Sequence, residues 1–492
     1  MHVEHELFSD VQDHFGIARL ISRIWLENSN CLLNCACLYN RVAPGLQYSC
    51  TQSPRGRSVP FWGLHCSLYF TLVLVSLVVV GLMFRVGVTI LITDKLLRSI
   101  FEPASILVWN DYVRPSQGFT QLDRQAHLMF FAYVLQRYES PNSNPRDWLN
   151  LIEAGIFEFL YRAVLTDLKP MVFRRLVEEC SAEVNELVFS QLEGVLLDFG
   201  GDFAERFKRY HSDSMVLQSS RRILGAAKCL TMRWEFGIVG HLSRGLYGLD
   251  MTKDALGTDL ESFSDLLGVR QLIGNHRLGH FLDLVGQLRF QERWANAHRI
   301  PVTSVLGHMY IVALLAYVAT KGARASTPRL VGNFMCGMFH DLAEIGTRDI
   351  SSPVKQPVQR TLREIERNEL ERIVYPLLPK DWLREIRYYA EDEFSDRTLH
   401  ADGSVVLTDG VTADQEPMGL SSIDGKLVRT CDRLAAYAEA LFAVQHGARD
   451  PVLAKALSRI EEELRAQSLC GMELDGLFDA LAANASHSEY VT

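Results

Sequence analysis

His340 and Asp341 stand side by side in MFHDLAEIGTRDISSPVK, residues 338–355. An imidazole nitrogen and a carboxylate oxygen can both ligate a divalent cation. On a helix the two side chains diverge by about 100°, yet both reach one ion seated over the gap between them. Glu344 follows one turn after His340 on the same face, where a carboxylate can activate a water beside that ion.

An HD dipeptide alone arises often by chance, so its company decides. His308 lies upstream in the strongly apolar stretch TSVLGHMYIVALLAYVATK, residues 303–321. Asp432 lies downstream in KLVRTCDRLAAYAEALF, residues 426–442, where a lone buried carboxylate would be costly. Two histidines and two aspartates from three helices make a mixed nitrogen and oxygen site. Such a site suits Mn²⁺, Co²⁺, Fe²⁺, Zn²⁺ or Mg²⁺, and the ligand types do not choose among them.

The elements that must position these residues are helical. From about residue 95, apolar residues recur at three- and four-residue spacing, notably over 303–321, 353–378, 380–394 and 423–445. Alternating strand patterns are scarce, and the Gly-, Asp- and Ser-rich stretch 397–422 reads as the longest loop. The expected fold class is all-α. With 492 residues, 48% of them hydrophobic, the chain has material for two or three domains and is not disordered. A net charge of −9 argues against nucleic acid as a partner, because that binding draws on a broad basic surface.

The order His…His-Asp…Asp, with Arg293-Trp294 upstream of the first histidine and Asp349 heading a D-I-S-S-P-V-K segment, resembles the HD superfamily of metal-dependent phosphohydrolases. The finer pattern is similar to its bacterial 5′-deoxynucleotidase branch, over about residues 285–447. The resemblance implies His308, His340, Asp341 and Asp432 as metal ligands, with Glu344 positioning the attacking water. It also implies that Arg293 holds the substrate phosphate, Trp294 packs on the sugar, Asp349 completes the catalytic shell and Lys355 contributes to substrate binding. The implied substrate is a (deoxy)nucleoside 5′-monophosphate. A phosphodiesterase or nucleotide hydrolase of the same superfamily, and a non-catalytic nucleotide- or metal-binding regulator, remain the alternatives. One departure stands out: the family usually places an acidic residue just before the first histidine, whereas here Gly307 does.

The N-terminal half reads as a second, silent copy of the same plan, giving two tandem HD-like bundles with the first degenerate. His127 is set against His308, and Glu158-Phe159 stand where His340-Asp341 stand. Arg162 replaces Glu344, Asp167 aligns on Asp349, Val108-Trp109 match Arg293-Trp294, and Lys228 or a neighbour replaces Asp432. The expected segments are an extension at 1–94, the degenerate bundle at 95–245, a connection at 246–284, the catalytic domain at 285–470 and a tail at 471–492.

Within the extension, residues 68–92 are apolar enough to cross a membrane. Two readings follow: a single-pass anchor for a cytoplasmic catalytic part, or a translation start further along, near Met83. Cys31, Cys35 and Cys37 have C-x3-C-x-C spacing, without a histidine in zinc-finger register. A homo-oligomer is left open.

Overall fold

Short polar residues start the helices that matter. Thr120 accepts from the Asp123 amide ahead of Gln121–Glu139 (α2), and Asn144 forms a capping box with Asp147 ahead of Pro145–Val164 (α3). Ser304 accepts from the Gly307 amide ahead of Val305–Gly322 (α11), Ser326 caps Thr327–Phe339 (α12), and Asp424 caps Gly425–Gln445 (α16). Each cap satisfies a backbone donor that the helix cannot, worth about 1 kcal/mol.

A computed structural model describes residues 92–487 apart from 110–117, 167, 169, 275, 351, 401, 411–420, 466–467 and 470–471. The early cysteine cluster and the apolar stretch up to residue 91 lie outside the described residues, as does Asp167. The described residues belong to one compact unit, Val86–Thr492.

The order of helices is Asp94–Phe101 (α1), α2, α3, Pro170–Glu179 (α4), Ser181–Asp198 (α5), Phe203–Ser212 (α6), Gln218–Leu242 (α7), Leu249–Glu261 (α8), Leu267–Gly274 (α9) and His276–Gln287 (α10). Then follow α11, α12, Glu344–Thr347 (α13), Ser352–Glu369 (α14), Lys380–Ala390 (α15), α16, Pro451–Arg465 (α17) and Asp475–His487 (α18). The expected all-α class holds, with small sheets attached. The stretch read as a loop at 397–422 carries strands Arg397–Leu399, Val405–Leu407 and Ser421–Ile423, the first paired antiparallel with both others. The helix expected over 353–378 is broken at Val358, after Pro357, and ends in a π turn at Leu370–Val374. Proline cannot supply the amide that helix continuity needs.

Two helix triplets dominate the packing. In the N-terminal half α2, α3 and α7 touch one another; in the C-terminal half α11, α12 and α16 do. The triplets meet through α2 on α11 and α3 on α12. One apolar core runs from Ile92 to Leu481 through both halves. At its centre α11 is buried on all sides from Val305 to Thr320, which explains why its sequence is apolar around the whole circumference. Each leucine or isoleucine buried there contributes roughly 1.5–3 kcal/mol.

Candidate metal centre

The cap at Ser304 sets the register of α11 and places His308 in its first turn, fully buried. Gly337 lets α12 approach α11 closely, since a Cβ there would sit 2.7 Å from the Ala313 backbone. Three residues on, His340 caps α12, and its ring lies 5.4 Å from that of His308. His340 Nδ1 is 2.8 Å from the Gly337 carbonyl. A carbonyl can only accept, so Nδ1 carries the proton and Nε2 is left for a cation.

His340 Nε2 lies 3.1 Å from Asp341 Oδ2, and His308 Nε2 lies 4.0 Å from the same oxygen. His308, His340 and Asp341 each offer a ligand atom, all within 4.8 Å of one another. Asp432, from α16, brings Oδ1 to 3.0 Å from His308 Nε2. Ligands about 2.1 Å from one ion lie roughly 3–4 Å apart, so this donor set fits a divalent metal.

Without an ion, the charges of the site compensate one another. Burial penalises Asp432, yet His308, His340 and Arg293 hold its carboxyl down at about 2. Burial also works against a charged His340, but Asp341 and then Asp432 raise it to about 9. Two partly buried carboxylates share one small space with two buried imidazoles.

Glu439, which sequence reasoning missed, organises the other side of the site. It is fully buried, and its Oε1 lies 3.3 Å from His308 Nδ1. The Thr303 hydroxyl donates to Oε1 at 2.8 Å, the Trp294 indole N–H donates to Oε2 at 2.8 Å, and Arg293 Nε donates to Oε2 at 3.2 Å. Although burial opposes its charge, Arg293 and His308 hold it well below the ordinary glutamate range. A carboxylate behind a ligating histidine fixes the ring and raises its basicity. The available signal was spacing: Glu439 follows Asp432 by two helical turns, on the same face.

Arg293 has only 12% of its side chain exposed and reaches from Glu439 to Asp341, with Nη1 3.6 Å from Asp341 Oδ2. Glu344 is buried at the start of α13. Asp349 is half-buried, and its charge acts on Arg293. Lys355 lies on α14, but its side chain is outside the described residues. Thus His308, His340, Asp341, Asp432 and Arg293 come together, and Trp294 is tied to them through Glu439. At Gly307, where an acidic residue was expected, a Cβ would meet Asp123 Oδ1 at 2.9 Å. Asp123, from α2, accepts from the Ser304 hydroxyl at 2.5 Å, so a carboxylate fills the space from the other half.

The N-terminal half repeats part of this geometry. Leu107 pairs with Thr120 as Glu292 bridges to Ser304, which sets Val108 opposite Arg293 and Trp109 opposite Trp294. Both tryptophans have positive φ, 63° and 57°. The Trp109 indole donates to Glu235 Oε2 at 2.8 Å, as Trp294 does to Glu439. Counting from the caps, Arg124 holds the place of His308, and Arg124 Nε and Nη2 both donate to Glu235. His127 therefore sits about one turn beyond that place. Its Nε2–H donates to the Leu282 carbonyl at 2.9 Å, and its ring packs on Phe131 and Trp234.

Residues 285–461 match the HD domain family. A 5′-deoxynucleotidase of Pasteurella multocida (strain Pm70) is 23% identical over 190 residues, covering 37% of this chain and 82% of that protein. The C-terminal half carries an HD-domain fold of the metal-dependent phosphohydrolase type, with a His/His/Asp cluster able to coordinate a divalent cation.

Proposed function

We propose that this chain hydrolyses the phosphomonoester of a (deoxy)nucleoside 5′-monophosphate, releasing a nucleoside and inorganic phosphate. The observation that carries the reading is Arg293 beside Asp341, a fixed cation at the edge of a His/His/Asp cluster. The similarity to a 5′-deoxynucleotidase supports the same substrate class.

His308, His340, Asp341 and Asp432 would hold a divalent ion, which would supply Lewis-acid charge and make a nearby water more acidic. The chain's own residues do the rest. Glu344 accepts a proton from the attacking water, whose oxygen bonds to phosphorus as the ester P–O bond breaks; the leaving 5′-oxygen takes a proton from solvent water, and Glu344 returns its own to solvent. Arg293, anchored at Nε by Glu439, directs Nη1 toward the cluster and neutralises charge that builds on the phosphoryl oxygens. Trp294, immobilised by Glu439, offers an indole face for the sugar, and Asp349 steadies Arg293. Lys355 adds a cation for the substrate.

The N-terminal half is, on this reading, a degenerate copy of the same bundle, supported by the matched caps, bridges, tryptophans and buried glutamates. Offering the purified chain a 5′-monophosphate, the matching 3′-monophosphate and a phosphodiester tests the substrate class. Phosphate release from the 5′-ester is expected to dominate; turnover of the diester alone would favour the phosphodiesterase alternative.

A further inference from the structure

The place in the N-terminal half that corresponds to the metal centre has not become a neutral core. Three of its positions now carry cations: Arg124 for His308, Arg162 for Glu344 and Lys228 for Asp432. Glu158 stands for His340 and Phe159 for Asp341. The C-terminal centre gathers carboxylates and imidazoles, which attract a cation. The N-terminal one gathers guanidinium and ammonium groups.

The partners of these groups divide them. Arg124 is committed, with two donations to Glu235, which also takes Arg289 at 2.9 Å. Glu158 accepts from the Tyr210 hydroxyl at 2.7 Å. Arg162 is only half-committed: Nη2 donates to the Leu168 carbonyl at 3.0 Å, while Nη1 is buried without a hydrogen-bond partner. Leaving a buried donor of a charged group unsatisfied is costly, and a missing acceptor is the usual reason. Lys228 has no carboxylate within 4.0 Å among the described residues, and the residue as a whole is exposed to solvent.

Both groups converge on one ring. The Arg162 guanidinium lies 4.4 Å from the centre of Phe173 on α4, and the Lys228 ammonium 5.7 Å. The crowding shows in their acidity. Desolvation and then Arg124 lower Arg162 to about 10. Desolvation, then Arg162 and Arg124, lower Lys228 against the pull of Glu158. Cations gathered with one acceptor missing call for an anion with several oxygens.

We propose that Arg162 and Lys228 form a second, non-catalytic site that binds a phosphate dianion, either free or as the phosphate of a nucleoside monophosphate. The Arg162 Nη1 donor and the Lys228 ammonium hold the phosphate oxygens, and Phe173 forms one wall. The proposal does not require the C-terminal half to turn over any substrate, so it stands or falls apart from the proposed reaction.

The test is calorimetric titration of the full chain in a chelator, with Arg293→Gln removing the phosphate contact of the other half. Inorganic phosphate is expected to bind one saturable site, weakened about tenfold or more by Lys228→Gln or Arg162→Gln and retained in Lys228→Arg. Lys228 is exposed, so its replacement leaves folding intact, verified by an unchanged melting temperature. A parallel titration with 2′-deoxyadenosine 5′-monophosphate separates the sources. Competition with phosphate identifies a nucleotide site, and binding of phosphate alone identifies a site for the free anion. Absence of saturable binding by either probe, or binding indifferent to Lys228 and Arg162, overturns the proposal.

Discussion

Glu439 stands 3.3 Å behind His308, on the nitrogen that faces away from Asp432. One fully buried carboxylate thereby ties the first histidine to Arg293, Trp294 and Thr303. The first histidine and the two residues proposed to meet phosphate and sugar are thus all referenced to one buried side chain.

Glu439→Gln keeps the shape and removes the charge. Metal affinity is expected to fall about 10–100-fold with the helical content unchanged, since removal of a carboxylate behind a ligating histidine has that effect elsewhere. Metal titration of the variant beside the parent measures it. Equal affinity in both would remove Glu439 from the account.

At Gly337 the backbone of α12 comes close to that of α11. Gly337→Ala places a Cβ against the Ala313 backbone and must separate the helices that carry His308 and His340. The expected cost is about 1–3 kcal/mol of stability, read by chemical denaturation, together with weaker metal binding. A variant as stable and as metal-avid as the parent would show that the crossing can relax freely.

His340 gives the metal a pH dependence. Its pKa in the metal-free protein is raised to about 9, against an ordinary 6.5. The proton therefore stabilises the metal-free fold fully below about pH 6.5, and that stabilisation is lost as pH rises to about 9. A ligating histidine must be neutral, so metal binding expels this proton, and affinity climbs roughly tenfold per pH unit until about 9. Calorimetry at pH 7 in buffers of different ionisation enthalpy is expected to show about one proton released per ion. Identical heats in all buffers would contradict this.

Glu235 works in the opposite sense. Burial raises it, but Arg124 and Arg289 outweigh burial and hold it at about 2, from an ordinary 4.5. Its ionised form contributes stability above about pH 4.5 that is lost as pH falls toward 2, roughly 3 kcal/mol at most. Denaturation curves at pH 6 and pH 3 measure the loss, and Glu235→Gln is expected to flatten the difference. An unaltered acid sensitivity in that variant would count against the Glu235 network.

Much of this was legible in the residues. The apolar period of α11 announces that helix, and the His308, His340-Asp341 and Asp432 set announces the centre. Glu439 escaped notice because an acidic residue in an alanine-rich helix declares its role only once α11 packs against it. The sheet within 397–422 depends on pairing Arg397–Leu399 with Ser421–Ile423, a non-local contact that alternation in three-residue strands does not reveal. His127 drew attention by its type, but the distance from the Thr120 cap, not the residue's identity, decides which side chain faces Glu235.

The central claim is tested most directly by phosphate release from a panel of 2′-deoxynucleoside 5′-monophosphates, using the full chain with Mn²⁺ or Co²⁺ beside Asp341→Ala. The account predicts release that stops with a chelator, returns when metal is restored, and falls at least about a hundredfold in the variant. No release from any member of the panel by metal-loaded protein, or equal release by Asp341→Ala, would contradict it.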